Sequence, residues 1–218
     1  MKLLLTSSGL TNPSITKALF DLVGKKSDDT SVVFIPTAAN VENGDKDWFI
    51  TDLINLLKQN FKQIEIADIS AVDEKIWRPR LEQADVIFFE GGNTYYLMEW
   101  INRSGLAKIL RELLGTRVYV GVSAGSMVTN PDLALKLSKT LYGEDLERTE
   151  IMPGLNFVDF YILPHLNSKY FPKLRKELIE EASKDVGKKI YALDDNSAIK
   201  IDGDTIEIVS EGEWLEFN

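Results

Sequence analysis

The chain has 218 residues, 44% hydrophobic and 27% charged, the make-up of a globular protein with one sizeable core, so a single domain over 1–218 is expected. A formal net charge of −9 argues against a protein that tracks a nucleic acid, which needs clustered Lys and Arg, and the absence of cysteine excludes disulfides, a thiol nucleophile and thiolate metal sites. No apolar run reaches the roughly 20 residues of a bilayer span, and the apolar start Met1-Lys2-Leu3-Leu4-Leu5 breaks at Thr6-Ser7-Ser8-Gly9, too early for a signal segment, so a cytoplasmic protein without membrane contact is expected.

Lys2 to Leu5 reads as a buried strand, and Pro13 with Ile15, Leu19 and Leu22 as the helix after it. Ser31 to Ile35 is a second strand stopped by Pro36, and Trp48, Leu53, Ile54, Leu56 and Leu57 mark a second helix ending near Asn60. Phe61 to Ile66 alternates as a strand, whereas Asp73 to Gln83 is a helix that Pro79 should kink or leave irregular. Ala84 to Phe89 is a strong strand, Tyr95 to Ile101 and a segment up to Leu114 are helical, and Arg117 to Val120 is the next strand. Strands apolar on both faces and alternating with helices predict an α/β fold, a three-layer arrangement of a mainly parallel sheet covered by helices.

Beyond residue 130 the pattern loosens into a polar stretch from Ser138 to Glu150. It resumes with a strand from Val158 to Leu163 and a helix from Pro172 to Lys184 whose apolar face is Leu174, Leu178 and Ile179. Short strands follow over Lys189 to Leu193, Ser197 to Ile201 and Thr205 to Val209, with Glu213 to Phe217 as one more.

Chemistry concentrates at Gly121-Val122-Ser123-Ala124-Gly125, a G-x-S-x-G pentapeptide between a strand and a helix start. In that setting the serine sits on a tight turn with its hydroxyl exposed beside backbone N–H groups, which is the geometry of a nucleophile elbow. A serine hydroxyl needs a base, and His165 is the only histidine in the chain. It follows a strand end, on the side of the sheet where the elbow also lies. A carboxylate must orient the imidazole, and Asp132, Glu144, Asp145, Glu147, Glu150, Asp159, Asp194 and Asp195 are all available; spacing does not choose among them. Gly91-Gly92-Asn93 ends another strand and can aim the Gly92 amide at the site, joining that of Ala124 in an oxyanion hole. The diglycine lacks the phosphate-loop and dinucleotide patterns, so no cofactor is expected, and a single histidine excludes a multi-histidine metal site, leaving only an all-carboxylate one, for which nothing in the sequence speaks.

Together, Phe34-Ile35-Pro36-Thr37-Ala38, Glu90-Gly91-Gly92-Asn93-Thr94, Gly121 to Ser126 and Leu163-Pro164-His165-Leu166 resemble peptidase family S51, the dipeptidase E or aspartyl dipeptidase group, over nearly the whole chain. The resemblance implies a class I glutamine amidotransferase-like (flavodoxin-like) fold, Ser123 as nucleophile, His165 as base, and the amides of Gly92 and Ala124 as oxyanion donors. It points to Asp145, with Glu144 close behind, as the triad acid, and to a short peptide as substrate. Aspartate at the substrate's N-terminus would need a basic partner, and no arginine is marked out for it; Ser126-Met127-Val128 also departs from the residues expected after the elbow. The reading is a serine peptidase, monomer or homodimer. An esterase or amidase on a non-peptide substrate, or an inactive binding protein of the same fold, are the alternatives.

Overall fold

The computed structural model describes residues 1–218. Five strands, β1 (Lys2–Thr6), β2 (Ser31–Ile35), β3 (Gln63–Ile66), β4 (Val86–Phe89) and β5 (Val118–Val122), run parallel to one another. They are connected through α1 (Pro13–Val23), α2 (Asp47–Lys58), α3 (Glu74–Gln83), α4 (Thr94–Arg103) and α5 (Leu106–Leu113). After β5 come the short α6 (Ala124–Met127) and α7 (Leu135–Leu137), then β6 (Tyr161–Leu163), α8 (Lys176–Ser183) and the strands β7 (Ile190–Leu193), β8 (Ser197–Asp202), β9 (Thr205–Ser210) and β10 (Trp214–Phe217). The central sheet has seven strands in the order β3-β2-β4-β5-β1-β8-β9, with β8 and β9 antiparallel at one side. A second sheet of three strands, β10-β7-β6, stands beside it. No helix is long and apolar enough to cross a membrane.

The alternation of side chains along each strand divides the core into two layers. Leu4, Val32, Phe34, Val86, Phe88, Val118 and Val120 point towards α1 and α2, where Ile15, Leu19, Leu22 and Leu56 cover them. Leu3, Leu5, Val33, Ile35, Ile87, Phe89 and Tyr119 point the other way, beneath Trp77, Leu81, Leu97, Ile101, Leu106 and Leu110 of α3 to α5. The result is the expected three-layer α/β architecture, a mainly parallel sheet buried on both faces. A third cluster, containing Leu137, Leu163, Leu174, Ile179 and Ile190, packs the small sheet against α8.

Three expectations are corrected. The helix α3 continues through Pro79, because Trp77 and Leu81 on either side of it are buried. Two such side chains contribute about 1.5–3 kcal/mol each, enough to offset the ~3 kcal/mol of an interior proline. The strand expected from Val158 is ordered as a strand only over Tyr161–Leu163. The helix expected from Pro172 begins at Lys176, so Leu174 is buried ahead of it and Leu178 is 47% exposed; the buried face is Ile179, Ala182 and Ser183.

Candidate active site

Ser123 ends the run of β5 and starts α6 with φ 46° and ψ −106°, a left-handed conformation for a residue with a side chain. Such a backbone costs about 1–3 kcal/mol and persists only where its surroundings enforce it. Here the Ser123 amide donates to the Thr6 carbonyl at 3.1 Å, and the amides of Ser126 and Met127 donate to the Ser123 carbonyl at 2.9 Å. Ser126 adds its hydroxyl, which donates towards the carbonyls of Thr6 (2.8 Å) and Gly121 (2.9 Å), tying the turn to β1. The flanking glycines follow from space: a Cβ on Gly125 would lie 2.2 Å from the Phe89 carbonyl oxygen, and one on Gly121 would lie 2.6 Å from the Gly125 backbone. The pentapeptide is therefore a strand-to-helix turn clamped between β1 and β4.

His165 Nε2 lies 2.9 Å from Ser123 Oγ, and its Nδ1 lies 2.7 Å from Asp195 Oδ1. An ionised carboxylate only accepts, so Nδ1 carries the proton and donates it to Asp195; Nε2 of the neutral ring then accepts from the Ser123 hydroxyl. Burial works to raise the Asp195 carboxyl, but the hydrogen bond from His165 and the charge its ring carries when protonated, with the hydroxyls of Ser8 and Ser7, outweigh it and hold it below the ordinary range. Those hydroxyls donate to the same Oδ1 at 2.9 and 3.0 Å. The Ser7 oxygen also accepts from the His165 amide at 2.8 Å, so the end of β1 fastens both residues. The imidazole is stacked on Phe171, with ring centroids 4.7 Å apart and planes 10° from parallel.

Asp145 is not the carboxylate on His165. Its Oδ2 accepts from Ser138 Oγ at 3.0 Å and its Oδ1 from Arg148 Nε at 3.2 Å, while Arg148 reaches on to Glu99 of α4 and lies over the Tyr95 ring. The left-handed Gly143 ends the turn of helix at Ser138–Tyr142, and the contact of Arg148 with Glu99 holds the following loop against α4. Glu144 is not there either; burial and the nearby Glu42 and Asp145 charges push it up to about 7. Sequence reasoning had Asp195 only as one of many acids. The usable signal was topological: β6 and β7 are parallel, with Leu163 opposite Ala192, so residues just past their ends are neighbours.

The diglycine lies against the serine, since a Cβ on Gly91 would be 3.3 Å from Ser123 Cβ. Gly92 has φ 126°, and a Cβ there would meet the Ala38 carbonyl at 2.3 Å, so only glycine fits. Asn93 then caps α4, its Oδ1 accepting from the Tyr96 amide at 2.9 Å. The N–H groups of Gly92 and Ala124 donate to no acceptor within the protein.

A serine held on a strained strand-to-helix turn of an α/β sheet, within hydrogen-bond reach of a histidine, defines a serine hydrolase. The model of peptidase family S51 matches residues 3–209, and the chain belongs to that family. It is 31% identical over 195 residues to the uncharacterized peptidase Lmo0363 of Listeria monocytogenes, covering 88% of this chain and 89% of that one. It is 23% identical over 223 residues to peptidase E of Shewanella denitrificans, covering 99% and 90% of the two chains. A solved structure from Listeria monocytogenes EGD-e, assigned provisionally as a peptidase E protein, superposes with a TM-score of 0.78 at 26% identity, over 97% of this chain and 98% of its own. The fold is thus of the class I glutamine amidotransferase-like type, and the chain is a serine peptidase.

Proposed function

We propose that residues 1–218 act as one unit that hydrolyses short peptides through an acyl-enzyme, with Ser123, His165 and Asp195 as the triad. Ser123 Oγ attacks the scissile carbonyl carbon while its proton passes to His165 Nε2. Asp195 keeps the imidazole in the required tautomer and stabilises its cation. The amides of Gly92 and Ala124 hold the oxyanion that forms. His165 then gives the proton to the leaving amine, and a water, deprotonated by the same nitrogen, hydrolyses the ester.

The observation that carries this reading is the unbroken relay from Ser123 Oγ through His165 to Asp195, at 2.9 and 2.7 Å. The rival of an inactive binding protein would leave no reason for a strained serine aligned on a histidine. The test combines a fluorophosphonate probe with a dipeptide panel in which N-terminal aspartate, the specificity the family resemblance raises, is one arm. A mass increment on Ser123, absent in Ser123→Ala, together with dipeptide cleavage, is expected. Labelling of Ser123→Ala equal to the parent, or cleavage of simple acyl esters with no peptide cut, would refute it.

A further inference from the structure

Helix α2 buries one apolar face and leaves a second uncovered. Leu56 is buried in the sheet-facing cluster, and Phe49 and Leu53 pack against it. Ile50, Ile54 and Leu57 lie about a quarter turn further round the helix and are 51, 46 and 69% exposed. Their spacing of four and then three residues makes one seam, the a/d pattern by which a helix packs on another helix. On the same side of the sheet Ile66 pairs with Phe34, and it is 50% exposed. Ile66 ends β3, the edge strand of the seven-stranded sheet, so no further strand lies beyond it. Single exposed apolar residues are ordinary on a folded surface, whereas a seam of them along one helix marks an interaction site.

The seam carries a charge pattern that selects its partner. Asp47 opens α2 on the same seam, three residues before Ile50, and Lys58 closes the helix next to Leu57. Both are exposed, and neither makes an ion pair within the chain; Lys58 Nζ donates to Asn55 Oδ1 at 3.2 Å. An acid at one end and a base at the other repel a parallel copy of the helix and attract an antiparallel one. The midpoint between Asp47 and Lys58 nearly coincides with that between Ile50 and Ile54, at Asp52 and Leu53 along the helix. A two-fold axis at that level sets Ile50 of each copy against Ile54 of the other, and each Asp47 beside the other copy's Lys58. Every contact then occurs twice, as an isologous interface requires. A lipid surface fits less well, since a net charge of −9 is repelled by anionic headgroups.

We propose that this outer seam of α2 is the contact between two copies of the chain, packed antiparallel about a two-fold axis. Ile50, Ile54 and Leu57 form the apolar centre of the contact, and Asp47 with Lys58 fixes its direction. Exposed ion pairs add little affinity but penalise the wrong orientation, while removal of the apolar stripe from water drives association. One helix of 12 residues, about 18 Å long, presents less than the roughly 800 Å² per partner of a standard stable interface. The dimer is therefore reversible, and its population follows concentration. The seam excludes Ser123, His165 and Asp195, so it stands or falls apart from the hydrolytic reading.

The test is sedimentation velocity of the full chain between about 1 and about 300 μM, where a monomer–dimer equilibrium is expected. Ile54→Lys and, separately, Leu57→Lys should weaken it at least about tenfold, with melting temperatures near the parent's because both side chains are already exposed. Asp47→Lys, which sets a lysine beside the other copy's Lys58, should weaken it as well. Direction is read independently by disulfide trapping, since the chain has no cysteine of its own. An equimolar mixture of Ile50→Cys and Ile54→Cys should give the mixed disulfide ahead of either self-paired one. A chain that is monomeric at every concentration, or a dimer that Ile54→Lys and Leu57→Lys leave unchanged, overturns the proposal. So does a dimer indifferent to Asp47→Lys, or preferred self-pairing of Ile54→Cys, which would mean a parallel contact.

Discussion

Leu163 of β6 pairs with Ala192 of β7, and that register sets His165 beside Asp195. The two residues lie 30 positions apart in the chain, yet each is only a short step past the end of its parallel strand. In the proposed reaction Asp195→Asn would allow the wrong imidazole tautomer while preserving the fold. A fall of about 10³–10⁴ in kcat/KM is expected, the scale such a change has in a serine triad. Asp145→Asn is the control: it breaks a partly buried contact to Arg148, and should lower the melting temperature while changing kcat less than about threefold. Steady-state kinetics on the two variants would reverse the assignment if Asp145→Asn proved the more damaging.

The backbone of Ser123 gives a second prediction. Glycine adopts φ 46° with less strain than serine, so Ser123→Gly should remove activity and raise stability. A gain of about 1 kcal/mol is expected, seen as a melting temperature about 2–4 °C higher. A lower melting temperature would show that the serine hydroxyl contributes more than the strain costs.

Gly92 is predicted to tolerate nothing larger. In Gly92→Ala the new methyl would meet the Ala38 carbonyl at 2.3 Å, on a backbone already in the left-handed region. A loss of more than about 2 kcal/mol is expected, together with a fall in kcat if the displaced turn carries an oxyanion donor. Crystallography of the variant with its turn unmoved would contradict the steric premise.

Asp52 predicts a pH dependence of stability with a definite sign. Burial pushes its carboxyl up to about 6 in the fold, so across the window above the unfolded value the native state holds more protons than the unfolded one. Stability contributed by this group therefore falls as pH rises from about 4 to about 6. Urea midpoints measured across that window should fall for the parent relative to Asp52→Asn. Parallel curves would mean that Asp52 titrates alike in the folded and unfolded chains.

The parallel sheet and the elbow were legible because they are local: apolar runs such as Val86 to Phe89 admit few other structures, and Gly121 to Gly125 carries its own geometry. His165 followed by elimination, being the only histidine. Asp195 did not, because its contact with His165 depends on which strand lies beside which, and the resemblance drew attention to Asp145 instead. Pro79 misled for a similar reason: a local rule against helix was outweighed by the burial of Trp77, a property of the packed chain. Glu90 looked like one letter of a turn motif, and only burial made it chemically unusual.

Ser123 and His165 belong to different sheets. Ser123 stands at the end of a strand in the seven-stranded sheet, His165 follows a strand of the three-stranded one, and Asp195 lies in the turn that crosses between them, with Ser7 as the clasp. In the proposed reaction the alignment of these three residues is therefore a gauge of how the two sheets are seated, not of either sheet alone. A slip of an ångström along that seam would part the Ser123–His165 hydrogen bond while both cores stayed packed, so activity should vanish at lower denaturant than the signal of global unfolding.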